Sequence, residues 1–219
     1  MVYPFLRSLR HRSLLGVDIE DSTQSMDPGR GYLRDTMYGV LEAALETGGV
    51  AAAYRDPYLD RGDGVFTLVH PVDEVPKTVL LDTVVPAIAA LLAEHNTGSP
   101  ERAFRLRVVV HAGEVTYDEK GCYGDALDVA FRLLGADPVK KMLVATNAPM
   151  VLVVSDEIHR CVVRHGYEGI DPDAFTRLVA RRVSGLVRAG WARPIDAPWA
   201  LHRRDDGLVV RMEDCRRQA

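Results

Sequence analysis

The pentapeptide Asp60-Arg61-Gly62-Asp63-Gly64 stands between two stretches of strand character, Val50 to Leu59 and Val65 to His70, and its two glycines mark it as a tight turn. A turn this short makes the strands it joins antiparallel neighbours. Upstream, Ser13 to Glu20, "SLLGVDIE", is a short apolar run of strand length that passes into the polar cluster Asp21-Ser22-Thr23. Between Tyr32 and Leu45 the apolar Leu33, Met37, Leu41, Ala44 and Leu45 recur at helical spacing, and Gly48-Gly49 closes the helix. The chain therefore opens strand, helix, strand, strand.

Thr78 to Glu94 predicts a second helix, with a kink or break at Pro86. Phe104 to His111, "FRLRVVVH", alternates and then becomes continuously apolar, predicting a strand that Ala112-Gly113 ends. Asp125 to Leu134 reads as helix, Met150 to Val154 as strand leading into a helix over Glu157 to His165, and Leu178 to Val187 as a strand or hairpin. The order is βαββαβ with additional elements, an α+β class with a ferredoxin-like core. A right-handed crossover makes the first two strands parallel, and the third returns between them. Asp18, at the end of the first strand, then becomes a neighbour of Asp63 in the turn.

The chain has 219 residues, 47% of them hydrophobic, enough for one sizeable core. Residues 13–195 read as that domain, with an N-terminal segment 1–12 and a tail 196–219. No window approaches 18 consecutive apolar residues and there is no signal-peptide pattern, so a cytoplasmic chain without a membrane partner is expected. Three cysteines without a Cys-x-x-Cys pair indicate neither a disulfide framework nor a zinc site. The formal charge of -4 gives no reason to expect nucleic-acid binding, and a polyanionic ligand would need locally supplied cations.

Two ionised carboxylates about 4 Å apart repel by roughly 4 kcal/mol at an effective dielectric of 20. Either one aspartate is protonated or a divalent cation lies between them, and hard oxygen ligands of this kind suit Mg2+ or Mn2+. The plainer reading makes Asp63 a turn residue and Asp18 a strand-end cap.

The blocks "LLGVDIEDST", "DRGDGV", "LRVVVHAGEV" and "GDALDVAFRLL" follow one another in the order and at the separations of the class III nucleotidyl cyclase catalytic domain, and over residues 13 to about 190 the chain resembles that family. The resemblance implies that Asp18 and Asp63 bind two metal ions, Mg2+ or Mn2+, with the backbone carbonyl of Ile19. It implies that Arg132 stabilises the transition state from the other subunit of a head-to-tail homodimer. The implied reaction is attack of a ribose 3′-hydroxyl on the α-phosphorus of a nucleoside triphosphate, giving a 3′,5′-cyclic nucleotide and pyrophosphate.

Several positions depart from the family pattern. Asp128 replaces an asparagine four residues before Arg132, on the same helix face. The purine-reading positions of adenylyl cyclases fall on Leu59 and Gly121, and the guanylyl pair is also missing. That absence resembles the pyrimidine cyclases of bacterial Pycsar anti-phage systems, in which a tyrosine takes the lysine's place, and Tyr58 is adjacent to it. The family's triphosphate lysine falls on Val183-Ser184-Gly185, with Arg182 and Arg188 nearby as cationic substitutes. His111 and Glu114 are expected to be structural. The expected protein is a metal-dependent cyclase of UTP or CTP with a separate effector for its product. The alternatives are a purine cyclase and a non-catalytic cyclase-fold nucleotide binder.

Overall fold

In the computed structural model the described residues are 8–21 and 26–196, with the side chains of 179–183 excluded. Strand β1, Ser8–Ile19, is flanked by partners on both sides and buried from Arg12 to Val17, which is why its middle, Leu14 to Val17, carries no polar side chain. It begins inside the segment 1–12. Helix α1, Asp27–Thr47, starts with a proline in its first turn and buries Met37, Val40, Leu41, Ala44 and Leu45.

The stretch predicted as a strand from Val50 is mostly irregular. It contains a short 3-10 turn, Ala52–Tyr54, and a single bridge from Arg55 to Val69 before strand β2, Leu59–Asp60, which pairs with β3, Gly64–Val69. The physical cause is local: three consecutive alanines have low strand propensity, and Pro57 has no N–H for a ladder.

The next helical stretch has three parts: α2, Lys77–Val79, a π-helical turn at Leu80–Val84, and α3, Val85–Gly98. The π turn lies where Pro86 can neither donate to the carbonyl of Asp82 nor fit its ring against it. Lys77–Gly98 is long and apolar enough to cross a membrane by composition. In the fold Val84, Ile88 and Leu92 are wholly buried in the core, which accounts for that composition.

Strand β4, Leu106–Asp118, runs well past the predicted end at Ala112-Gly113, because the first half of β1 keeps pairing with it from Ser13↔Ala112 to Ser8↔Tyr117. Gly113 serves close packing: a Cβ there would meet Cβ of Ala126 at 3.0 Å. Then follow β5, Gly121–Tyr123, and helices α4, Asp125–Leu134, and α5, Asp137–Val144. Helix α5 was not expected, although Pro138 in its first turn and the spacing of Val139 and Leu143 both signal it. The chain ends its described part with β6, Met150–Ser155, α6, Asp156–Cys161, and the hairpin β7, Thr176–Val183, and β8, Leu186–Ile195.

Among the described residues the sheet has eight strands, in the order β2-β3-β1-β4-β6-β8-β7 with β5 paired to β4. Strand β3 lies between β2 and β1, antiparallel to both, as the βαββαβ reading requires. One face of the sheet packs on α1 and α3, the other on α4 and α5. The tail beyond residue 196 lies outside the described residues.

Gly16 on β1 lies under Phe66, whose ring also packs edge-to-face on Phe131 with centroids 4.4 Å apart. A Cβ at position 16 would overlap the Phe66 ring at 2.3 Å. Gly16→Ala should lower the unfolding free energy by about 1–3 kcal/mol, read as a lower urea midpoint at an unchanged slope. An unchanged midpoint would mean that Phe66 has room to move.

Candidate functional site

The β2–β3 turn divides its duties between its two aspartates. The backbone N–H of Arg61 donates to the carbonyl of Gly64 at 2.8 Å, which closes the hairpin. Asp60 is the turn-forming acid: its Oδ1 accepts from the N–H of Gly62 at 2.7 Å, and Arg34 of α1 grips both its carboxylate oxygens and the carbonyl of Gly62. Gly62 has φ +84°, a conformation that favours glycine. Gly64 is needed for close approach instead, since a Cβ there would lie 2.9 Å from the carbonyl oxygen of Val17. The antiparallel register puts Gly64 opposite Asp18, and the N–H of Ile19 donates to the carbonyl of Asp63 at 3.0 Å.

Asp18 and Asp63 thus line one cavity of about 230 Å3, together with Arg61, Phe66, Phe131 and Leu134. Asp18 is mostly buried, and its Oδ2 accepts from Nη2 of Arg107 on β4 at 2.7 Å. Its Oδ1 is buried and has no hydrogen-bond partner among the described residues. Burial pushes the Asp18 carboxyl above the usual carboxylate range, the Arg107 guanidinium works against that, and the charge of Asp63 adds to it. A buried carboxylate oxygen without a donor, next to a second carboxylate, fits a bound cation. Among the described residues no cluster of three or more His, Cys, Asp or Glu side chains forms a metal site, so a metal held here would rest on these two carboxylates and on backbone or substrate oxygens.

Three contributors to this cavity were missed. Arg107 had a readable signal, being a charged residue inside the apolar run Leu106 to Val110 and therefore in need of a partner. Arg61 lies over the ring of Phe131, 4.2 Å from its centroid, and gives the cavity a cation from the same chain as the carboxylates. Phe131, next to Arg132 in sequence, forms the cavity wall. Glu20, following Ile19, is held by Arg105 at 2.7 and 2.9 Å, and Arg105 also donates to the carbonyls of Leu143 and Thr146, tying the end of β1 to the end of α5.

Asp128 and Arg132 are both exposed on α4, one turn apart. Neither lines the cavity of Asp18 and Asp63. Within one chain the structure does not bring the two halves of the expected site together.

The base-reading positions also separate. Leu59 packs on the α4 side of the sheet. Tyr58 turns to the α1 side, where its hydroxyl donates to Glu42, its ring meets Tyr38 edge-on at 5.4 Å, and Arg55 covers it. Tyr58, just before β2, and Leu59, within it, thus pack on opposite sides of the sheet, and within one chain the structure does not bring them together at one pocket. Gly121 has φ +134° and open space where a side chain would be. Arg188 lines a different, larger cavity together with His111. The side chain of Arg182 lies outside the described residues. Glu114 pairs with His11 at 2.9 Å, and His111 shares a hydrogen bond with Ser155 Oγ at 2.7 Å, so both are engaged within the fold.

No family model matches the sequence, and no curated protein matches it. The fold has many solved counterparts. An adenylate/guanylate cyclase/hydrolase from Silicibacter pomeroyi superposes with a TM-score of 0.63 at 17% identity, over 87% of this chain and 99% of that one. The adenylyl cyclase CyaB from P. aeruginosa gives 0.56 at 15% identity, over 92% and 99%. The guanylate cyclase domain of RhGC from Catenaria anguillulae, solved in complex with GTP, gives 0.55 at 15% identity, over 85% and 98%. The fold is that of these cyclase domains.

Two outcomes follow from the local chemistry. Asp60→Ala should cost about 1–2 kcal/mol of stability by removing the turn bond and the Arg34 clamp, and an unchanged unfolding midpoint would refute that role. Burial lowers the His111 pKa from 6.5 to about 4. As pH falls from about 6.5 towards 4 the unfolded chain takes up a proton that the folded one refuses, so stability should drop by about 2–4 kcal/mol over that window. His111→Gln should flatten the drop, and an unchanged pH profile in that variant would contradict the assignment.

Proposed function

We propose that this chain is a metal-dependent nucleotidyl cyclase, forming a bond from the ribose 3′-oxygen of a nucleoside triphosphate to its α-phosphorus. The α–β bridging bond breaks, pyrophosphate leaves and the 3′-hydroxyl proton passes to solvent. The carrying observation is the orphaned Oδ1 of Asp18 beside Asp63, in a cavity on a cyclase fold. Asp18 and Asp63, with the Ile19 carbonyl, would hold two Mg2+ or Mn2+ ions, which when bound supply activation of the 3′-hydroxyl and neutralisation of the triphosphate.

The chain's own residues supply the rest. Arg61, anchored over Phe131, offers a guanidinium at the cavity for phosphate oxygens. Asp128 and Arg132 of the partner subunit complete the site in a head-to-tail homodimer. Their exposed position, away from the carboxylates of their own chain, supports that arrangement. Arg132 meets charge developing on the transferred phosphate, and Asp128, four residues earlier on the same helix face, orients it or holds the ribose hydroxyls.

The favoured substrates are UTP and CTP. Neither Leu59 nor Gly121 offers a polar side chain to a purine, and with Tyr58 bonded to Glu42 the case rests on those two positions. In the same reading the product is a cytoplasmic second messenger sensed by a separate effector, and the likeness to Pycsar cyclases gives anti-phage defence as its setting. A purine cyclase is the second reading, favoured by the GTP complex of one structural neighbour and the ATPalphaS complex of another.

The protein incubated with each of ATP, GTP, CTP and UTP and Mn2+, with products identified by mass, should yield cyclic UMP or cyclic CMP. Cyclic AMP or cyclic GMP alone would install the purine reading, and no cyclic product would overturn the activity. Asp63→Asn should lose at least about 100-fold in rate. Mn2+ at about 100 times its dissociation constant should add about 2.7 kcal/mol to the parent and raise its melting midpoint by about 5–10 °C, with no rise in Asp63→Asn.

A further inference from the structure

Strand β6 ends at Ser155, where its last pairing with β8 is at Gly190 and its last with β4 is at Val110. Both neighbours run on. Strand β4 continues through His111 and Gly113, and β8 extends the other way through Ala189, Arg188 and Val187, so a notch about two strand spacings wide, roughly 10 Å, opens between them. Side chains from α4 and α6 close it into a cavity of about 590 Å3, of a size that takes a nucleotide-like molecule. His111 is four residues along β4 from Arg107, about 14 Å at strand rise, so this cavity is separate from that of Asp18 and Asp63 in the same chain.

The charges in the notch are unevenly satisfied. Each of its carboxylates already has a partner: Glu114 bonds His11, Asp125 accepts from Ser184, Asp156 accepts from Trp191 and Glu157 pairs with Arg160. Two guanidinium groups remain, those of Arg177 and Arg188, with no carboxylate partner among the described residues. The Nε of Arg188 is moreover buried, with no hydrogen-bond partner among the described residues. A buried N–H of a charged group that meets no acceptor is a costly arrangement unless a ligand supplies one.

We propose that this notch is a second binding site, for a small organic phosphate monoester. A monoester carries close to two negative charges at neutral pH, matching the two unpaired guanidinium groups, and its oxygens suit their forked donors. A triphosphate would bring further charge against the four carboxylates of the lining. Val129 and Val187 give an apolar wall for the body of the ligand. The site does not depend on the chemistry proposed for the first cavity.

The test is calorimetric titration of the full chain with UMP and, separately, AMP, in EDTA so that no metal-dependent binding contributes. Binding should be weakened at least 10-fold by Arg188→Gln, and should stay within about twofold in Asp63→Asn and Arg132→Ala. Should Arg188→Gln fail to fold, Arg177→Gln, at an exposed position, should still weaken binding at least threefold. The site is refuted if the parent binds neither monophosphate, if both arginine variants bind like the parent, or if Asp63→Asn abolishes binding, which would put the probe in the first cavity.

Discussion

The register between β1 and β3 is the constraint on which the rest of the site depends. Asp18 pairs with Gly64, and the two strands come close enough there that any Cβ at position 64 would press on the Val17 carbonyl. Only that approach lets the Asp63 carbonyl bond the N–H of Ile19 and brings the Asp63 side chain into the cavity of Asp18. A slip by one residue would exchange Val65 and Val69, packed on the α1 side, with Phe66 and Leu68, packed on the α4 side, so the cores on both sides of the sheet hold the two carboxylates together. Asp60 and Arg34 keep the turn in shape and free Asp63 from that duty.

The electrostatics of Asp18 are arranged in tension. Burial and the neighbouring Asp63 disfavour its charge, and Arg107 supports it from one side only. A site satisfied on both oxygens would have no call for a metal, and one with no cation at all would leave burial and the charge of Asp63 unopposed. Here one oxygen is anchored by Arg107 and the other is left for a ligand. Removing Arg107 would leave a buried unpaired charge, a change of the kind that costs about 3–5 kcal/mol.

Much of this was legible in the residues, for identifiable reasons. The turn "DRGDGV" and the helical spacing of Leu33 to Leu45 carry local signals, and the topology that joins Asp18 to Asp63 follows from their order. What the sequence hid depends on tertiary contacts. Strand β4 continues through Ala112-Gly113 because β1 pairs with it there and because α4 needs a glycine beneath it, and neither is a local property. Tyr58 lies just before β2 rather than in it, so no strand alternation sets its direction, and its hydrogen bond with Glu42 required α1 to be docked. Arg107 and Arg61 were visible as charges in improbable places, but their partners, Asp18 and the ring of Phe131, were not.

The single chain presents its carboxylates in one cavity and the helix face of Asp128 and Arg132 elsewhere, and the proposed activity requires two chains to join them. Mixing inactive Asp63→Asn with inactive Arg132→Ala tests this most directly, because a mixed dimer contains one site with both defects and one with neither. A composite site predicts that about a quarter of the parental activity returns, half of the dimers being mixed with one intact site each. Activity that stays at the level of the separate variants, while subunit exchange is shown to occur, would contradict a site shared between chains.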